Sequence, residues 1–436
     1  MAGNSSSAGF PPARIGWWMV AVFCFAGLVS YSDRFILGVL ADPIRQELVI
    51  GDSQFSLLQG AAFALIYVLA GLPLGRFADR GKRLNLLSGG AVLWCMGVIV
   101  CGFAPSFGTL FTGRMLVGIG EAALAPAAAS MIADAFPPEQ RGAALGVFLM
   151  GMVLGGPTAI SVGGALLGSA QTGAFATLPV LGQLAPWRAV LVLMGLAGLL
   201  APLLFLTLRE PARQESAGAV SLREVIGCFI GARRVLVPLY IGMALLSVGD
   251  YGLLSWMPSL LSRRFALPPA ELGLMFGVIT AVASVAGALA GGILSDRAER
   301  RGGLRARLVP IALAAAMGAL AAAMVSGGLI MALCGLALWT FASAIGGIGG
   351  IAALQELLPN EYRGVGMSLV AFFNTLLGLG IGPTLVALAT EQVYGDPKSV
   401  GYAMTLVVLP AGVVACLLFI ICRRALRGAA GAVEEA

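Results

Sequence analysis

Polar residues in this chain are confined to short breaks between long apolar runs. The runs lie at roughly 15–41, 54–78, 84–104, 107–134, 142–167, 187–208, 235–261, 271–295, 308–326, 329–357, 364–389 and 400–422. Each reaches or exceeds the ~20 residues that a helix needs to cross a bilayer. The short alternating segments of a β-barrel are absent. The pattern therefore predicts an all-α membrane protein with twelve transmembrane helices. Residues 1–14 are polar, lack the basic-then-apolar order of a signal peptide, and are expected to form a short tail. A polar stretch at 209–234 separates six spans from six. The expected organisation is a tail (1–14), a six-helix bundle (15–208), a central loop (209–234), a second six-helix bundle (235–422) and a tail (423–436). Within the central loop, Ser221–Val235 reads either as a short amphipathic helix on the membrane surface or as a solvated linker.

Composition narrows the function classes. Of 436 residues, 59% are hydrophobic and 11% charged, against about 25% charged in soluble chains. That excludes a soluble enzyme, a disordered chain and a nucleic-acid binder. There is no histidine, so a histidine triad, metal site or proton relay is excluded, and any proton carrier must be Asp or Glu. The seven cysteines show no CxxC pair, which predicts free thiols and neither metal nor cofactor. No GxxxxGK[ST] occurs, which argues against ATP as the driving force. The 61 glycines suit close helix contact in lipid. With the N-terminus placed inside, 20 of the 27 basic residues fall on the inner side and 5 on the outer, with Arg34 and Arg114 inside spans. This bias predicts cytoplasmic termini and explains the net charge of +6 without a polyanionic partner. The arginine-rich, Gly- and Ala-rich composition suggests a bacterial plasma membrane.

The halves repeat. Gly75–Arg80 after span 2 and Gly292–Arg297 after span 8 are 217 residues apart, as are Asp33 and Asp250. Asp134, Glu139, Arg141 and Gly142 return 222 residues later as Glu356, Glu361, Arg363 and Gly364. A parallel six-plus-six duplication explains all of these. Gly75–Arg83 resembles the loop signature of the major facilitator superfamily, and Asp296–Arg301 resembles its second copy. Tyr31–Phe35 with Ile50–Asp52, and Arg114–Ala122, resemble the Spinster family of lysolipid and sphingolipid transporters. The resemblance implies the major facilitator fold, two pseudo-symmetric six-helix bundles working by alternating access, and proton coupling through carboxylates at these positions.

Charges at bilayer depth are expensive and mark pathways. Span 4 has its midpoint near Glu121, with Arg114 two turns away on the same face, about 10 Å toward the outside. Asp33 reaches a similar depth in span 1. An Asp33–Arg114 ion pair is therefore expected, leaving Glu121 as the carboxylate that exchanges a proton. Arg34 lies about 100° further round the helix, free to snorkel outward, and receives no role. Asp250 in span 7 lacks a matching arginine in span 10, and is either a silent acid or a second proton or substrate site. Tyr31, Phe63, Tyr67, Trp256, Phe341 and Phe372 are candidates to line an apolar compartment. The repeated loop charges are Asp79, Arg80, Arg83, Asp134, Glu139 and Arg141, then Asp296, Arg297, Arg301, Glu356, Glu361 and Arg363. The resemblance implies that they lock the inside shut, through Asp79 with Arg141 and Asp296 with Arg363. Gly151–Pro157 resembles the Gly-Pro motif of superfamily antiporters, and is read either as a bending point or as close packing. The expected activity is a monomeric, proton-linked transporter of an anionic amphiphile, a lysophospholipid or sphingoid-type lipid. The alternative is transport of small organic anions or drugs. An enzyme is not expected, because no nucleophile stands beside a base.

Overall fold

The computed structural model describes residues 10–214 and 222–434, and among them there are helices and no strands. Among the described residues, eleven helices are long and apolar enough to cross a membrane. One of them, Pro269–Val325, has 57 residues, about 86 Å at 1.5 Å per residue, far more than one crossing needs. It folds back at Gly302 and Gly303, whose backbone leaves the helix; Gly303 has φ 60°, which favours glycine. That helix therefore supplies two passes, and the twelve expected from the sequence are present.

The passes are α1 (Ala13–Leu48); α2 (Asp52–Ser56, Leu57–Ala61 and Ala62–Arg80 in continuous sequence); α3 (Arg83–Gly102); α4 (Phe107–Glu121, continued by Leu124–Ala135); α5 (Pro138–Gln171); and α6 (Pro186–Gly198, continued by Leu200–Phe205). They continue with α7 (Arg233–Phe265); α8 and α9, the limbs of Pro269–Val325 before and after the two glycines; α10 (Leu329–Leu357); α11 (Asn360–Phe373 through Ala389–Tyr394); and α12 (Val400–Glu434). Local chemistry sets several ends. Ser106 caps α4 by accepting from the Thr109 amide at 3.4 Å. Proline opens α5, α6 and α8, where its missing N–H costs nothing. Segment Leu222–Gly231 in the central loop is helical, and its Phe229 stacks on Tyr240 at 6.4 Å.

The chain forms two compact units, described through their resolved residues. One comprises Met1–Ile36, Leu65–Ala159 and Ser169–Gly218; the other comprises Leu37–Ala64, Ile160–Gly168 and Ala219–Ala436. Large apolar side chains such as Leu65, Leu69 and Val153 in the first and Leu289, Leu313 and Leu417 in the second are exposed, as lipid-facing positions must be.

Glycines bring backbones together where the charged residues sit. In the first unit α5 packs directly on α1. A Cβ at Gly155 would lie 2.5 Å from Tyr31 Cβ and 2.7 Å from the Leu28 carbonyl, and one at Gly151 would collide with the Cys24 carbonyl. Ser32 Oγ donates to the Gly155 and Leu28 carbonyls at 3.0 and 2.8 Å. The Gly151–Pro157 stretch thus acts as a packing face, and α5 runs unbroken through Pro157. Gly90 and Gly120 do the same for α3 against α4. In the second unit Gly249 and Gly318 leave room for the ring of Trp339.

Arg83, buried at the start of α3, ties the helix ends of the first unit to the chain leaving α6. Its guanidinium pairs with Asp134 at the end of α4 and with Glu210 at 3.0 Å, and donates to Ser130 Oγ at 2.9 Å and the Pro211 carbonyl at 3.1 Å. Burial alone would raise the Glu210 carboxyl. The hydrogen bonds from the Arg83 and Leu84 amides and the Arg83 charge outweigh it and hold Glu210 below the usual carboxylate range.

Two outcomes follow from this packing. Gly155→Val should lower the melting temperature of purified protein, an overpacking cost of about 1–3 kcal/mol; Gly146→Ala, whose Cβ meets nothing within 4 Å, should leave it unchanged. Because Glu210 titrates lower folded than unfolded, its anchoring is complete above the unfolded value of about 4.3 and fades as pH falls through the depressed one. Limited proteolysis should therefore cut wild-type protein at 206–214 only in acid, and Glu210→Gln already at pH 7. Equal protection of both at pH 7 would remove the anchor.

Candidate functional site

Four charged residues meet inside the first unit, at membrane depth. Asp33 and Arg34 come from α1, Arg114 and Glu121 from α4, and each is no more than 4% exposed. Arg34 Nε donates to Glu121 Oε2 at 2.9 Å. The same guanidinium lies over the rings of Tyr31, 4.5 Å from its centroid, and Tyr67, at 4.9 Å. Arg114 Nη1 donates to the backbone carbonyl of Asp33 at 3.0 Å, and Asp33 Oδ1 accepts no hydrogen bond.

This corrects the expected pairing in two respects. Arg114 engages the main chain of Asp33 and forms no ion pair with its carboxylate among the described residues. Arg34 points inward and neutralises Glu121, where the sequence reading left it to snorkel. One signal was available: with two carboxylates and two guanidiniums at one depth, an outward Arg34 leaves the buried cluster with net negative charge, which a low-dielectric site resists.

Of the aromatic candidates, Tyr31 and Tyr67 meet, at Arg34. The other four belong to the second unit. Phe63 is fully buried. Trp256 packs on Phe55 with centroids 6.1 Å apart and donates Nε1 to the Pro383 carbonyl at 2.9 Å. Phe341 lines a lateral cleft on the second unit, and Phe372 is exposed beside Phe373.

Asp250, the repeat partner of Asp33, lies within the second unit. Trp339 Nε1 donates to its Oδ1 at 2.8 Å and Ser343 Oγ to its Oδ2 at 2.6 Å, both from α10. Where the first unit uses arginine, the second uses neutral donors. A cavity of about 100 Å³ adjoins this carboxylate, with Tyr240, Ser247, Ser343 and Asn374 in its wall. That is room for a few water molecules.

The repeated loop charges form pairs inside each unit. Arg83 meets Asp134 in the first. In the second, Arg307 at the start of α9 meets Glu356 at 3.0 Å, and also pairs with Glu299. The acids Asp134 and Glu356 are repeat positions, so each copy joins the start of its third pass to the end of its fourth. Arg141 Nε donates to the Phe136 carbonyl at 3.0 Å and Arg363 Nε to the Leu358 carbonyl at 3.1 Å, the same local bond in both copies. Among the described residues Asp296 does not pair with Arg363, and neither Glu139 nor Glu361 has an ion-pair partner. The side chains of Asp79 and Arg80, and with them the expected Asp79–Arg141 pair, lie outside the described part. Arg297 and Arg301 are exposed.

A further ion cluster in the second unit was not anticipated. Arg263, at the end of α7, grips Asp52 with Nη1 and Nη2, both at 2.8 Å, and donates Nε to Asp42 at 2.7 Å. Arg45 adds a 2.9 Å contact to the fully buried Asp52. Bidentate geometry of this kind is among the stronger side-chain contacts. It fastens the end of α1 and the start of α2 to α7.

Comparisons with known proteins agree with this architecture. Residues 23–383 match the profile of the Major Facilitator Superfamily. An MFS-type efflux pump of Mycolicibacterium smegmatis is 29% identical over 412 residues, covering 93% of this chain and 92% of that protein. Protein spinster homolog 1 of Homo sapiens is 36% identical over 209 residues, 47% of this chain and 36% of that protein. The crystal structure of a bacterial homolog of the human lysosomal transporter Spinster, in an inward-facing and unoccupied conformation, superposes with a TM-score of 0.76 at 26% identity, over 95% of this chain and 96% of that one. With that match over most of its length, the chain belongs to the Major Facilitator Superfamily as a relative of the Spinster proteins, a membrane transporter and not an enzyme.

Proposed function

We propose that this protein is a proton-coupled secondary transporter that moves an anionic amphiphile, a lysophospholipid or sphingoid-type lipid, by alternating access. In this reading it works as a monomer in a bacterial plasma membrane with both termini cytoplasmic, its arginine-rich side facing in. The observation that carries the reading is the buried Asp33–Arg34–Arg114–Glu121 cluster. Two carboxylates and two guanidiniums compensate each other at rest. An arriving anion needs a guanidinium, and a proton taken up by a carboxylate makes one available. Arg114, which donates to the Asp33 main-chain carbonyl within the cluster, is the group offered to the anionic head.

The geometry favours Asp33 over Glu121 as the coupling carboxylate. Glu121 is engaged by direct contact with Arg34. Asp33 has no guanidinium on its carboxylate, so it takes up and releases a proton without breaking an ion pair. Asp250, fixed by Trp339 and Ser343 beside a water-sized cavity, serves as a second polar site in the other half. The paired loop charges, Arg83 with Asp134 and Arg307 with Glu299 and Glu356, stiffen the inner ends of the helices that alternating access must move.

The second reading, transport of small organic anions or drugs, is favoured by the likeness to the mycobacterial efflux pump, which extends over 93% of the chain. Flux in proteoliposomes against a panel of lysophospholipids, sphingoid phosphates, sugar acids and drugs separates the two. Lysolipid flux that saturates and responds to a pH gradient is expected; flux of the small anions alone overturns the lipid reading. Arg114→Ala should abolish transport while leaving the protein monodisperse in detergent, and wild-type flux in this variant would remove its binding role.

For coupling, Asp33→Asn should retain substrate-induced stabilisation and lose accumulation driven by a pH gradient. Glu121→Gln should behave differently. It strands the buried Arg34 guanidinium, at a cost of about 3–5 kcal/mol, and so lowers the melting temperature. If Asp33→Asn still accumulates substrate in response to the gradient, the coupling passes to Glu121 or Asp250.

A further inference from the structure

The second unit carries a cleft that the transport reading does not use. It is open to the side, lies between α8 and α9, is floored by α10, and has a volume of about 680 Å³, within the roughly 300–1,000 Å³ of small-molecule sites. Its walls are apolar side chains of membrane spans, among them Leu294, Leu313, Met317, Phe341 and Ile345. Charge enters at one end only, through Arg297 and Arg301 at the foot of α8. We propose that this cleft binds an anionic phospholipid from the arginine-rich leaflet, with its phosphate on Arg297 and Arg301 and an acyl chain against α10.

Three observations fix the occupant. First, the cleft runs at membrane depth: its wall on α9 extends from Ala306 to Met317, about 16 Å at 1.5 Å per residue, which is about one leaflet of the ~30 Å hydrocarbon core. An acyl chain fits such an apolar space. Second, both guanidiniums are exposed and neither has an ion-pair partner among the described residues, whereas neighbouring Arg307 is spent on Glu299 and Glu356. The unspent charge sits at the mouth of the apolar space. Third, the acid beside them in sequence, Asp296, is not part of the lining. A headgroup with a net negative charge therefore gains from two cations, while a zwitterionic one gains little. The lining belongs entirely to the second unit, so the site is independent of the Asp33–Arg114 cluster, and its occupant is a resident lipid rather than cargo.

The test is lipid binding by delipidated full-length protein in detergent, read by thermal stability and by native mass spectrometry, with no transported substrate present. Phosphatidylglycerol should stabilise wild-type protein saturably and remain bound as discrete adducts; phosphatidylcholine should do so at least tenfold more weakly. R297Q/R301Q should weaken phosphatidylglycerol binding about 10- to 30-fold, since each basic group near a lipid surface contributes roughly one kcal/mol. R297K/R301K, which keeps the charge, should stay within about threefold of wild type. Val309→Trp, which fills the cleft, should block binding with both arginines intact. Arg300→Gln, outside the lining, is the matched control and should bind as wild type. Equal binding of the two lipids by wild-type protein, full binding by R297Q/R301Q, or the same stabilisation from inorganic phosphate alone would each overturn the proposal. Because no flux is measured, a failed transport reading leaves this result standing, and the reverse holds too.

Discussion

Lipid offers a buried charge no water, so every ion at membrane depth must find its partner in the protein. The Arg34–Glu121 pair, with neither residue more than 4% exposed, is where this chain meets that demand most directly. Much of the first unit follows from it. The pair joins α1 to α4 directly, and glycine faces bring α5 against α1 and α3 against α4 by backbone contact. Stacking on Tyr31 and Tyr67 fixes the guanidinium in the same place. Beside the Arg34–Glu121 pair, Arg114 donates to the Asp33 main-chain carbonyl.

The two halves solve the same problem with different chemistry. At the helix ends the duplication is preserved nearly atom for atom: Arg141 on Phe136 and Arg363 on Leu358, Arg83 with Asp134 and Arg307 with Glu356. At membrane depth it has diverged. Asp33 shares its surroundings with guanidiniums, while Asp250 is held by an indole N–H and a hydroxyl. Neutral donors fix a carboxylate in position without offering a charge to a passing anion.

The sequence made the passes legible because hydrophobic length is a one-dimensional signal; even the pair of spans fused in Pro269–Val325 was separable by its polar centre. The depth of the charged residues was legible for the same reason. Their partners were not. Depth is read along a helix, but pairing depends on rotation about its axis and on the reach of a long side chain. Arg34 was judged by the direction of its Cα–Cβ bond, whereas its flexible stem carries the guanidinium back across to Glu121. The Arg263–Asp42–Asp52 cluster escapes for a different reason: Arg263 stands 211 and 221 residues from its two acids, and a charge count along the chain does not pair residues so far apart. The partner of Asp250 is not visible in a search for a matching arginine, because an indole N–H, that of Trp339, engages the carboxylate oxygen instead.

The fold-back at Gly302 and Gly303 has a mechanical meaning. Two neighbouring passes, α8 and α9, join with no loop between them, so the angle at which they diverge is governed by a few backbone torsions. A loop absorbs strain; this junction transmits it. Any force that spreads or closes the wedge between the two helices reaches Arg307 and its acids within a few residues. The pair of glycines works less as a connector than as the fulcrum of a lever, with long arms in the bilayer and a short arm at the ionic contacts of the helix ends.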